Sequence, residues 1–214
     1  MEKKFDYKKE YKDLYLPKKK PSLIEVPEMV FISVDGKGNP NTSQEYKEAM
    51  EILYGLSYTI KMSKMDGSEP KDYFDYVVPP LEGLWWFDDE NYRGGAIKDK
   101  NDFLWTSLIR QPEFVTEEVF LWAKEKLQNK KPDLNLLKAK YLKWREGLCV
   151  QIMHIGSYDN EIESINKMNE YIEKEGFLTD INNNRKHHEI YLSDPRRCKV
   201  ENLRTVIRHP IKKI

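Results

Sequence analysis

The sequence predicts an α+β protein built from duplicated βαββ repeats, paired into one concave antiparallel sheet with helices on one face. Two internal matches carry that expectation. Ser107-Leu108-Ile109-Arg110-Gln111-Pro112 is echoed by Thr205-Val206-Ile207-Arg208-His209-Pro210, and Val30-x-Ile32-x-Val34-x-Gly36 by Val150-x-Ile152-x-His154-x-Gly156. They mark the last and first strands of two similar units. A third observation is size: 214 residues, 39% of them hydrophobic, bury a sizeable core without covalent staples. The resulting division is an N-terminal arm over 1–28, a first repeat over 29–112, a two-helix insert over 113–146 and a second repeat over 147–214, in one compact domain.

The elements follow from local pattern. The arm is basic and Pro-punctuated, ends at Lys18-Lys19-Lys20-Pro21, and reads as a solvated lead-in. Met29 to Asp35 alternates as a strand, with Val30, Ile32 and Val34 on one face. A Gly-Asn-Pro turn leads to Thr42-x-x-Glu45, which has capping-box form. Tyr46, Met50, Leu53 and Leu56 then recur at helical spacing, to about Lys64. Tyr73 to Val78 reads as a strand closed by Pro79-Pro80, extended or kinked through Glu82 to Phe87. An acidic, Gly-containing loop spans Asp88 to Asp102, and Phe103 to Arg110 alternates again. Thr116 caps a helix with Glu117 and Glu118 in its first turn. Beyond Pro132, Leu137, Tyr141 and Trp144 suggest a second helix. Leu148 to Ile155 is a strand. Asp159 caps a helix with the stripe Ile162, Ile165, Met168 and Ile172, stopped by Gly176. His187 to Leu192 and Asn202 to Arg208 complete the strands.

Composition excludes several function classes. Lys+Arg and Asp+Glu are both 36, so no net basic footprint favours direct nucleic-acid binding. No apolar run approaches the length of a membrane span, and the charged first 20 residues have no signal-peptide core. Cys149 and Cys198 lack metal-ligand or redox spacing, which suits a reducing cytoplasm. No P-loop, G-x-G-x-x-G or G-x-S-x-G occurs, so no cofactor is expected, and no metal site is evident from spacing.

Candidate residues come from strand parity. In His187-His188-Glu189-Ile190-Tyr191-Leu192, Ile190 and Leu192 form the core pair, so Glu189 and Tyr191 share the other face. On a helix-free side they look into an open groove, and a half-buried carboxylate there serves as acid, base or cation-recognising group. A solvent-exposed Glu189 with a cross-strand cation is the alternative. Trp85 and Trp86 diverge in an extended segment, and Trp105 joins one of them, either as a platform for a flat ligand or as packing under the helices. Glu82 offers a second carboxylate. His154 occupies a core-like position; adjacent His187 and His188 diverge and cannot chelate one ion together.

Four segments then resemble a known family: residues 77–86 (Val77-Val78-Pro79-Pro80-Leu81-Glu82-Gly83-Leu84-Trp85-Trp86), Ile109-Arg110-Gln111-Pro112, residues 147–156 and His188 to Pro195. They resemble the GyrI-like small-molecule-binding proteins, over nearly all of the chain beyond the first ~20 residues. They are most similar to the stand-alone bacterial type, which includes the cyclopropanoid cyclopropyl hydrolase branch. The resemblance implies a groove for a planar hydrophobic molecule caged by Trp85, Trp105 and Tyr191; Trp86 and His154 are further candidate ligand contacts. It implies Glu189, or Glu82, as the group that orients water or takes its proton. Three activities follow from it: hydrolytic opening of cyclopropanoid DNA-alkylating compounds, drug sequestration or effector sensing without turnover, and modulation of DNA gyrase. The chain carries no helix-turn-helix, so a direct transcriptional role is not implied. An exposed sheet edge suits either a monomer or a homodimer.

Overall fold

A computed structural model describes residues 4–87 and 99–214. Among these described residues, seven strands and five α-helices make up the α+β fold. In chain order they are α1 (Tyr7–Glu10), α2 (Lys12–Tyr15), β1 (Ser22–Lys37), α3 (Gln44–Lys61), β2 (Leu81–Trp86), β3 (Leu104–Gln111), α4 (Glu117–Lys130), β4 (Ala139–Ile155), α5 (Ile162–Lys174), β5 (Phe177–Thr179), β6 (His187–Tyr191) and β7 (Arg204–Lys213). The strand order is β4-β1-β3-β2-β6-β7-β5, and β4 also pairs with β7. All these pairings are antiparallel. The expected open concave sheet is therefore a closed six-stranded barrel, β4-β1-β3-β2-β6-β7, with β5 appended to β7. Closure removes the exposed edges of an open sheet.

Two long strands make closure feasible. One end of β4 pairs with β1 (Val34 opposite Ala139) and the other with β7 (Ile155 opposite Arg204). Gly147 sits between them at φ 76°, a left-handed conformation that suits glycine. Around it the inward-facing parity changes, from Glu146 to Cys149. Bending there lets one strand serve two neighbours.

The helices α3 and α5 cover the outside of the barrel. Ile165, Met168 and Ile172 of α5 pack on Val150, Ile152, Ile207 and Ile211. Each such buried aliphatic side chain contributes about 1.5–3 kcal/mol of transfer free energy. The helix α3 buries Ala49, Ile52, Leu53, Leu56 and Ile60 against the main core. Its N-cap is Ser43, whose hydroxyl accepts from the Tyr46 amide, rather than Thr42. Thr116 caps α4 as expected, accepting from Val119 N–H. Asp159 does not cap α5; it lies in a single 3-10 turn, and Glu161 is the N-cap residue without a side-chain cap bond.

Other expectations are corrected by tertiary pairing. The second insert helix is absent: Leu136–Lys138 form one 3-10 turn, and Tyr141 and Trp144 lie on β4, opposite Ile32 and Met29. Leu137 is 88% exposed, so it was never part of a buried stripe. Tyr73 to Val78 is not a strand; Tyr76 makes one isolated parallel bridge with Phe5. Residues 88–98 of the acidic loop lie outside the described residues. The arm is no solvated lead-in either. Tyr7, Leu14 and Tyr15 are buried, β1 already begins at Ser22, and Lys18 O accepts from Met153 N–H.

Inside the barrel the arm meets a buried polar network. Glu82, His188 and Arg208 share the inward face of β2, β6 and β7. His188 Nε2 lies 3.0 Å from Glu82 Oε2, and its Nδ1 lies 3.1 Å from both oxygens of Glu146. Arg208 donates to Glu146 at 3.0 Å, to Gln151 Oε1 and to Leu14 O at 2.8 Å. Gln151 Nε2 donates to Asp13 O at 2.6 Å. Arm backbone carbonyls thus satisfy two interior donors that would otherwise be costly to bury.

Candidate functional site

The outward face of β2 and β6 floors a cleft of about 780 Å³ between α3 and α5. The expected helix-free groove is therefore corrected in one respect: the cleft opens on the helix-bearing surface, in the gap the two helices leave uncovered. Tyr46, Met50, Tyr54 and Tyr58 recur every fourth residue and present one edge of α3 to it. Val78, Pro79, Pro80 and Leu81 form one margin, and Leu192 to Arg196 another.

Its floor is aromatic. Trp85 stacks near Tyr46, with ring centroids 6.1 Å apart, and meets Phe103 edge-on at 5.0 Å. Trp85 Nε1–H donates to Tyr191 Oη at 2.8 Å, and Tyr158 meets the Tyr191 ring edge-on at 5.8 Å. Such geometries favour aromatic pairs beyond their buried area. Gly83 makes room for them: a Cβ there would lie 2.5 Å from Trp85 Nε1 and 3.0 Å from Tyr191 Oη.

At the α5 end the cleft becomes polar. Glu189 lines it from β6 and Glu161 from the N-cap of α5. His187 Nε2 lies 2.9 Å from Glu189 Oε1 and 3.9 Å from Glu161 Oε2. Its Nδ1 is 2.7 Å from His209 Nε2. Burial and the neighbouring Glu189 carboxylate hold Glu161 well above the usual carboxyl range, against the smaller opposing pull of Lys100. Burial and His187 push His209 well below the usual histidine range, so it is neutral. Burial, then Glu189, raises the Tyr158 phenol to about 12, and the same two causes raise Tyr191 well above the ordinary phenol value.

The sequence candidates separate into two groups. Glu189, Tyr191 and Trp85 line the cleft together. Trp105 does not; it is fully buried behind the edge of Tyr46, at 5.0 Å. Trp86 points away and takes the Lys186 ammonium over its ring at 4.7 Å. His154 is a buried structural residue between Ser164 Oγ and Ser157 O, each at 3.0 Å. Glu82 faces the barrel interior, one residue from Gly83 and so on the opposite side of β2 from Glu189. Glu161 was missed. Its only local signal was a carboxylate just before the Ile162 stripe, and nothing in that spacing indicates that β6 lies beside it.

Among the described residues, no helix is long and apolar enough to cross a membrane. The family model for the GyrI-like small molecule binding domain matches residues 19–212. A solved structure of an uncharacterized conserved protein from Listeria innocua is similar at 48% identity, covering 98% of this chain and all of that one, with a TM-score of 0.92. A hydrolase from Listeria innocua is similar at 47% identity with the same coverage and a TM-score of 0.89. The C-terminal domain of EcmrR, at 14% identity and a TM-score of 0.54 over 91% of this chain and 98% of its own, shares the fold alone. No curated protein matches the chain.

Proposed function

The chain belongs to the GyrI-like small-molecule-binding family, and from that premise we propose that its cleft binds a planar, lipophilic xenobiotic and opens a strained ring in it with water. The observation that carries this reading is the pairing of Glu161 and Glu189 beside an aromatic floor. One carboxyl is held protonated by burial and by its neighbour, while the other is tethered to His187. That is the division of labour an acid–base pair needs.

The chemistry balances for a cyclopropane conjugated to a carbonyl. Glu189 takes a proton from water as the water oxygen bonds to a ring carbon. The ring C–C bond breaks, its electron pair moves to the carbonyl oxygen, and Glu161 supplies that oxygen with a proton. Trp85, Phe103 and Tyr46 hold the flat ring system against the pair. Ring strain drives the reaction, so positioning and proton transfer suffice. The hydrolase from Listeria innocua, similar over its whole length, supports a hydrolytic reading.

We also read the barrel as a duplication, with repeats over 29–112 and 147–214. Exchanging β1, β2 and β3 for β4, β6 and β7 maps every barrel pairing onto another or onto itself. Residues 113–146 then contribute α4 and the first residues of β4 rather than two helices.

The test is product formation. Purified protein mixed with a cyclopropanoid alkylator yields the ring-opened water adduct by mass spectrometry, and Glu189→Gln abolishes it. No adduct above buffer, with tryptophan quenching still reporting binding, would rule out turnover of that compound. The second reading, sequestration of a lipophilic cation, draws on the same Glu189 carboxylate among aromatic faces. It is favoured if a quaternary dye binds and Glu189→Gln weakens it.

A further inference from the structure

The polar end of the cleft supports a second chemistry. Glu161, His187 and Glu189 each offer one ligand atom, all within 4.8 Å of one another. They come from two elements, the N-cap of α5 and the strand β6. Glu161 is 93% buried as a residue, being 7% exposed, and its Oε1 has no hydrogen-bond partner among the described residues. Lys100, whose ammonium acts on it, is ion-paired with Asp159 at 2.6 Å. Two carboxylates converge here with no lysine or arginine side chain hydrogen-bonded to either among the described residues, an arrangement that burial normally penalises.

The geometry points to a three-ligand site for a divalent transition-metal cation, with zinc as the first choice, formed by Glu161, His187 and Glu189 and open on its fourth side to the cleft. In a tetrahedral zinc site with bonds of about 2.0–2.1 Å, neighbouring donors lie about 3.3 Å apart. The separations of His187 Nε2 from Glu189 (2.9 Å) and from Glu161 (3.9 Å) bracket that edge, and the two carboxylates lie within 4.8 Å of each other. One imidazole and two carboxylates suit a borderline ion better than a soft one. The outer support is also in place. With Nε2 on the metal, His187 carries its proton on Nδ1 and donates it to His209 Nε2 at 2.7 Å, which fixes tautomer and ring orientation.

This inference does not depend on ring opening, and the two are separable because turnover and dye binding can be measured in EDTA. For the metal, EDTA-stripped full-length protein is titrated with zinc chloride by calorimetry and with cobalt chloride by visible absorption. The expected result is one equivalent bound. Glu161→Gln and His187→Gln each weaken binding tenfold or more, and Cys198→Ser leaves it unchanged. The wild-type cobalt spectrum should show ligand-field bands without a thiolate charge-transfer band, a readout that needs no variant to fold. Absence of saturable binding at micromolar metal overturns the site. So does a thiolate band, or binding that survives Glu161→Gln and His187→Gln but is lost in Cys198→Ser.

Discussion

Trp85 Nε1–H donates to Tyr191 Oη across the floor of the cleft, at 2.8 Å. That bond joins β2 to β6 on the outward face, where the cleft needs a rigid wall. Gly83 lies directly beneath it. An added methyl group would displace an indole already packed by Tyr46 and Phe103. Gly83→Ala is therefore expected to weaken ligand binding tenfold or more and to shift tryptophan emission. It should also cost about 1–3 kcal/mol of stability through overpacking. Fluorescence titration with a planar dye checks this, and an unchanged Kd would show that the Trp85–Tyr191 wall does not shape the site.

Glu161 links stability to pH with a definite sign. Its folded pKa is raised above the ordinary carboxyl value, first by burial and then by Glu189. The stability tied to its protonated form is complete below about pH 4.5 and is lost as pH rises through the raised value. Glu161→Gln keeps the neutral shape and removes that loss. In EDTA the variant should match wild type at pH 4 and have a higher Tm at pH 8. Under the acid–base reading its turnover should fall about 10²–10⁴-fold. A variant less stable than wild type at pH 8 would mean that Glu161 is ionised and paired there.

The arm supplies a further test. Leu14 is 3% exposed, and its backbone carbonyl accepts from Arg208. Leu14→Ala should cost about 2–5 kcal/mol. Removing residues 1–16 strips one backbone acceptor each from Arg208 and Gln151 and the buried Tyr7, Leu14 and Tyr15, so the truncated chain should lose its cooperative thermal transition. A shortened chain that melts like the full one would return the arm to the solvated role its basic composition suggested.

What was legible in the sequence was local. The alternation at Val30, Ile32 and Val34, the Thr116 cap, the α5 stripe and the opposite faces of His188 and Glu189 all depend on neighbours a few residues apart. Tyr141 and Trp144 misled because their spacing fits a helix, while their strand state depends on pairing with Ile32 and Met29 more than a hundred residues away. Barrel closure, the arm and Glu161 share that cause: each is set by contacts between distant segments. Glu82 illustrates it most sharply. It belongs to the same β2 segment as Trp85, yet parity turns it inward, away from Glu189 and into the His188 network.

That network should govern stability at both ends of the pH scale. Burial opposes charge on His188, but Glu146 and Glu82 outweigh it and raise His188 to about 9. Burial likewise pushes Glu146 up, yet His188 and Arg208 prevail and hold it at about 2. For His188 the folded pKa exceeds the unfolded one, so its contribution is complete below about pH 6.5 and disappears as pH climbs through 9. For Glu146 the shift is downward, so its contribution is complete above about pH 4.5 and disappears as pH falls through 2. The two contributions share the His188–Glu146 pair, so they do not add. Between about pH 4.5 and 6.5 both are in force. Wild-type unfolding free energy should therefore decline between pH 6.5 and 9, and His188→Gln should be less stable at pH 6 and lack that decline. Glu146→Gln leaves Arg208 buried without its carboxylate, so it should cost about 3–5 kcal/mol at pH 6. Urea titrations at pH 6 and pH 9 measure both effects. Equal slopes for wild type and His188→Gln would show that His188 is neutral inside the barrel.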